Sequence, residues 1–217
     1  MPLLAAIVLA GGQSQRMGRD KALIDIEGVP LLRRVCDVAL QCTPLVYVIT
    51  FQPDQYRAIV PPTCHLLQEY ALPSEKTPHG PLIGLAQALE AIQPEAKTEW
   101  LLLLACDLPF LSSERLQQWA NALEHVGDAI ALLPRSAKGW EPLCGFYRTS
   151  CLVSLRAAIE RGDRSFQSWL AQEVVKELSV DDAQMLFNCN TPQDLERVRR
   201  EKQQRQAEGA KEARARL

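Results

Sequence analysis

Histidine is scarce in this sequence, with three in 217 residues, at positions 65, 79 and 125. They share no metal-ligand spacing, which argues against a histidine-built metal centre. Cysteine is more abundant but unpatterned. The seven at 36, 42, 64, 106, 144, 151 and 189 include no CxxC pair, and an odd number suits reduced thiols better than a disulfide framework. Long apolar runs are missing too. The run Leu3–Ala10, with no basic segment before it, reads as a first strand rather than a secretory signal, and nothing approaches the length of a membrane span. These absences predict a cytoplasmic protein without a membrane partner.

Charge is nearly balanced, at a formal −2, which argues against a dedicated nucleic-acid binder. The balance is uneven along the chain. Residues 197–217 carry eight Arg or Lys against three Glu, a net +5 that leaves −7 on residues 1–196. The segment REKQQRQAEGAKEARARL has no apolar stripe, so residues 199–217 read as a charged helical extension or tail. Residues 1–198 read as one domain, with 47% hydrophobic residues overall, enough for a large core.

Apolar runs at 4–10, 45–50, 65–69 and 100–105 have the character of strands buried on both faces. Helical patterns fall between them: PLLRRVCDVALQC, with Pro30 suited to a first helical position, and PLIGLAQALEAI from Pro81. Strand and helix in alternation predict a doubly wound, mainly parallel α/β sheet. Further on, DAIALL, PLCGFY and VVKEL read as strands, RSFQSWLAQ as a short helix and TPQDLERVRREKQQ as a final one.

Ligands of such sheets bind beyond the carboxyl ends of the strands, so the residues just after each apolar run matter most. Strand one ends in IVLAGGQSQRMGRDKAL, where Gly11 and Gly12 allow close approach of the backbone to an anion. A tight turn alone would explain the glycines, but it would not require Arg16, Arg19 and Lys21 on the same loop. Neither GxxxxGK[ST] nor GxGxxG is present, which removes P-loop NTPases and ordinary dinucleotide folds. The strand WLLLLA is followed by Asp107, a carboxylate that would be costly to bury without a partner. Mg2+ is a natural partner, because it takes oxygen ligands from one or two carboxylates together with substrate phosphates. The competing role, capping the next helix, suits Ser112 or Ser113 better. Cys106 beside it reads as a small core residue.

LAGG with SQRMGRDKAL, then GPLIG, CDLP and NTPQDL, in this order across residues 7–198, resembles the molybdenum cofactor guanylyltransferases, a branch of the nucleotidyltransferases. The resemblance implies a nucleotide-diphospho-sugar-transferase-like fold. It also implies transfer of GMP from GTP to the phosphate of molybdenum-bound molybdopterin, with release of pyrophosphate. On matching positions, Leu9, Ala10, Gly11 and Gly12 would meet the nucleotide, Lys21 and Arg16 would offset its phosphate charge, and Asp107 would hold Mg2+ and nucleotide. The family's strand-two Asn falls at Thr50, and the closest counterpart of an Asp before GPLIG is Glu69. Asn190 is a candidate second metal ligand, with an N-cap role for the last helix as the alternative. Implied partners are GTP, molybdenum-molybdopterin, and the molybdopterin-insertion proteins and molybdoenzyme chaperones that would receive the product. Two other readings stay open: a related cytidylyltransferase, and a non-catalytic protein that binds and delivers the cofactor.

Overall fold

Strands form here from side chains that are apolar on both faces. Alternate residues of Leu4–Leu9 (β1) and Trp100–Ala105 (β6) enter two separate hydrophobic clusters. Ala6, Val8, Leu102 and Leu104 point one way, and Ala5, Ile7, Leu101 and Leu103 the other. The computed structural model describes residues 3–11, 20–72, 80–92 and 98–215. After β1 come a hairpin, Asp25–Ile26 (β2) and Val29–Pro30 (β3), the helix Leu31–Cys42 (α1), Val46–Thr50 (β4), the short helix Pro53–Tyr56 (α2) and His65–Gln68 (β5). Helix Pro81–Ile92 (α3) leads into β6, and Ser113–Asn121 (α4) follows it. The remainder is Ala131–Ser136 (β7), Gly139–Trp140 (β8), Cys144–Arg148 (β9), Leu152–Glu160 (α5), Phe166–Leu170 (α6), Val175–Leu178 (β10) and Pro192–Ala215 (α7).

The main sheet runs β10-β7-β9-β6-β1-β4-β5, with β8 paired to β7. Pairs β1–β4, β1–β6, β4–β5 and β7–β10 are parallel, while β9 runs antiparallel between β6 and β7. Helices α1 and α4 bury Leu32, Val35, Leu116 and Trp119 on one face. The other face is covered by α3, α5 and α6. This is the single, mainly parallel α/β domain expected. A third cluster, in which Leu195 and Val198 of α7 meet Ile24, Ile26 and Phe110, fastens the last helix over the β2–β3 hairpin.

Two local readings need correction. Strand β7 starts at Ala131 rather than Asp128 and continues through Pro134, whose carbonyl accepts from the Glu141 amide at 2.9 Å. A proline supplies no donor, but the pairing here uses its acceptor. Pro30 is the N-cap of α1 rather than its first turn, because it pairs with Asp25 in the hairpin. Helix α7 extends to Ala215, so the charged segment takes the helical of the two forms read from the sequence, a continuation of the last helix.

Candidate active site at the carboxyl ends of the central strands

The register of the sheet brings several strand ends level. Leu9 lies opposite both Ala105 and Ile49, and Thr50 opposite Gln68. The Cys106 amide donates to the Leu9 carbonyl at 3.2 Å, the Ala10 amide to Ile49 at 3.0 Å, and the Glu69 amide to Thr50 at 2.7 Å. Leu9 and Ala10 are thus bound into the sheet, and the chain leaves it at Gly11. Gly12, Arg16 and Arg19 lie outside the described residues.

Three segments distant in sequence converge beyond these ends. Lys21 sits in a 3-10 turn, Lys21–Leu23, directly after the glycine-rich loop. Its ammonium donates to Asp107 Oδ2 at 3.2 Å and to the side-chain oxygen of Asn190. Asp107 comes from the end of β6, and its backbone carbonyl accepts from the Cys189 amide at 2.9 Å, which ties the approach to α7 to the same strand end. Asp107 Oδ1 is buried and has no hydrogen-bond partner. Burial pushes the Asp107 carboxyl above the ordinary aspartate range, and the Lys21 ammonium only partly opposes that.

Asn190 is not the cap of α7. Thr191 is: its hydroxyl accepts from the Asp194 amide at 3.1 Å, while Asp194 accepts from the amides of Thr191 and Asn190 at 2.8 and 3.0 Å. This reciprocal capping explains the Thr-Pro-x-Asp stretch and leaves the Asn190 side chain to face Lys21. Ser112 caps α4 as expected, accepting from the Arg115 amide. Cys106 is a buried core residue, as read from the sequence.

Glu69 is also brought to this edge. It is 8% exposed, and a Cβ built on Gly11 or on Gly84 would come within 3.9 Å of its carboxylate oxygens. The GPLIG stretch acquires a geometry here. Gly80, at φ +92°, takes a left-handed turn before Pro81 opens α3, and Gly84 lets the helix pack against Leu9 and Glu69. Thr50, by contrast, is 1% exposed, and its hydroxyl accepts from the Gln52 amide at 3.3 Å. Tyr56 and Gln55, which the sequence did not single out, both donate to Asp20, at 2.5 and 2.8 Å. No apolar run or charge pattern marks them in advance.

Among the described residues no group of three or more His, Cys, Asp or Glu side chains could hold a metal ion. A cation bound here would have Asp107, with its unpartnered buried oxygen, and the Asn190 amide oxygen, and would draw further ligands from a bound phosphate. All of these donors are oxygens, which fits a hard divalent cation.

The arrangement agrees with what the chain resembles. A protein of Nostoc sp. named "Probable molybdenum cofactor guanylyltransferase" is 54% identical over 193 residues, 88% of each chain. The crystal structure of molybdopterin-guanine dinucleotide biosynthesis protein A from Archaeoglobus fulgidus matches with a TM-score of 0.73 at 22% identity, covering 92% of this chain and 99% of the other. A manganese complex of a Mycobacterium tuberculosis protein shares the fold at 17% identity, with a TM-score of 0.63 over 91% and 97% of the two chains. The family model for the MobA-like NTP transferase domain covers residues 6–178, spanning strands β1 to β10. The chain therefore belongs to the MobA-like NTP transferases and is a nucleotidyltransferase.

Proposed function

We propose that this enzyme transfers GMP from GTP to the terminal phosphate of molybdenum-bound molybdopterin, releasing pyrophosphate. The observation that carries the reading is the Lys21–Asp107–Asn190 cluster at the strand ends beside Gly11. The acceptor is a phosphate monoester with a second pKa near ~6, already mostly dianionic at neutral pH, so no general base is needed. The protein's task is to bring two anions together and stabilise charge on the leaving pyrophosphate. Lys21 moves from its resting partners onto the phosphates, with Arg16 as a second cation. Gly11 and Gly12 admit the triphosphate, and the backbone of Leu9 and Ala10 borders the nucleoside.

Asp107 and Asn190 would hold Mg2+, which supplies Lewis-acid stabilisation of the phosphates when bound. Glu69 accepts the N1–H and N2–H2 donors of guanine, an arrangement that cytosine, with an acceptor at N3, would not match. Acceptor binding is supported by a groove of about 480 Å3 that includes Lys138, Phe187 and Arg197, close in sequence to Asn188 and Asn190. The seven free cysteines suit a reducing cytoplasm, and among the described residues no helix is long and apolar enough to cross a membrane. Molybdopterin-insertion proteins and molybdoenzyme chaperones are the recipients in this scheme.

Pyrophosphate release, measured with each nucleoside triphosphate with and without molybdopterin, tests the reading. GTP is expected to exceed CTP by at least roughly tenfold in kcat/KM, the factor about 1.4 kcal/mol provides. Glu69→Gln should erode that ratio. A preference for CTP, or release that does not depend on molybdopterin, would overturn the assignment.

A further inference from the structure

Asp20 stands one residue before Lys21, and its carboxylate is fully engaged. Oδ1 accepts from the Ala22 amide at 2.9 Å, and Oδ2 from Gln55 Nε2 at 2.8 Å and Tyr56 Oη at 2.5 Å. Capping the 3-10 turn requires only the first of these bonds. The other two reach 35 and 36 residues along the chain to α2, which follows the end of β4. The Tyr56 ring is 4% exposed and packed in the same hydrophobic cluster as Ala22 and Cys106, so the hydroxyl is presented from a fixed post.

The geometry points to Tyr56 and Asp20 as a positioning relay that sets the backbone of Lys21, and through it the approach of the ammonium to the triphosphate. The inference rests on the phosphate role of Lys21 proposed above. A lysine side chain has four rotatable bonds, so its head group is placed reliably only where its backbone is fixed. The turn that carries Lys21 is three residues long. The lateral bonds from Tyr56 and Gln55 to Asp20 tie the start of that turn to α2.

A double-mutant cycle on kcat/KM for GTP, with Mg2+ and molybdopterin present, separates positioning from general stability. Tyr56→Phe keeps the buried ring and removes one hydrogen bond to a charged acceptor, and is expected to lower kcat/KM roughly tenfold. Combined with Lys21→Ala, the same change should cost less than about twofold, because the group it positions is gone. Gln55→Ala, at an exposed position where folding is not at stake, should lower kcat/KM by about two- to threefold and be equally silent without Lys21. Equal losses in both backgrounds, or no loss from Tyr56→Phe in a protein that Lys21→Ala does impair, would overturn the relay alone. A Lys21→Ala protein that matches wild type would overturn both the relay and the phosphate role.

Discussion

At the scale of single residues, Asp107 trades stability for function. Its folded-state pKa is raised by burial, so the ionised carboxylate opposes folding: a proton-linked contribution favours the folded state at low pH and is lost as pH rises through the folded pKa. Asp107→Asn should therefore raise the thermal midpoint measured in chelator, with the gain absent near pH 3, growing as pH rises above about 4, where the unfolded carboxyl ionises, and levelling off once pH passes the raised folded-state pKa. The same substitution should lower turnover about a hundredfold or more, as removal of one preorganised electrostatic group does in other enzymes. Calorimetry across pH and pyrophosphate release check the two halves. A midpoint that falls at neutral pH would show instead that the pair with Lys21 outweighs the burial.

At the scale of elements, the NTPQDL stretch shows how a capping motif can serve a site. Asp194 holds the amides of Asn190 and Thr191 together, so the first turn of α7 and the placement of the Asn190 side chain have one cause. Asp194→Ala should cost about 0.5–2 kcal/mol of stability, the usual range for a lost cap, and should also raise the Mg2+ concentration needed for half-maximal activity. Chemical denaturation and a Mg2+ titration measure these separately. If stability falls with no change in the Mg2+ dependence, Asn190 is not a metal ligand.

The strands of the first half were legible because their runs are apolar on both faces, and the helices because Pro30 and Pro81 mark their starts. Asp107 stands out in the sequence because a carboxylate directly after an apolar run has few structural explanations, and Lys21 because a tight turn does not require three cations; the structure brings the two together. The Thr191 cap could have been read from Thr-Pro-x-Asp, where the hydroxyl and the carboxylate three residues on exchange bonds with each other's amides. Tyr56 and Gln55 could not be read in this way. Their part depends on which side chains the β4–β5 crossover brings beside Asp20, and that is settled by tertiary packing rather than local pattern. The strand DAIALL is read too early because Ala129 and Ile130 are apolar, whereas the paired residues of β7 begin at Ala131.

For the whole molecule, one sheet with a core on each face predicts a single cooperative unfolding transition. Nucleotide bound across the strand ends should shift that transition as a unit. At a free GTP concentration about 100 times its Kd with Mg2+ present, linkage adds about 2.7 kcal/mol, and for a chain of this size the midpoint should rise by about 5–10 °C. Differential scanning calorimetry checks both. Two transitions, only one of them responding to GTP, would mean that α7 and the β7–β10 region unfold apart from the nucleotide-binding half.

The cluster around Lys21 also has an order of birth. Lys21 is 86 residues from Asp107 and 169 from Asn190. A ribosome adding about 5–20 residues per second makes Lys21 roughly 8–34 s before Asn190. During synthesis the glycine-rich loop and Asp107 are together long before the amide that completes their cluster exists. In the proposed scheme tight nucleotide binding therefore marks a nearly finished chain: a truncated product ending between residues 107 and 189 carries Lys21 and Asp107 but lacks Asn190.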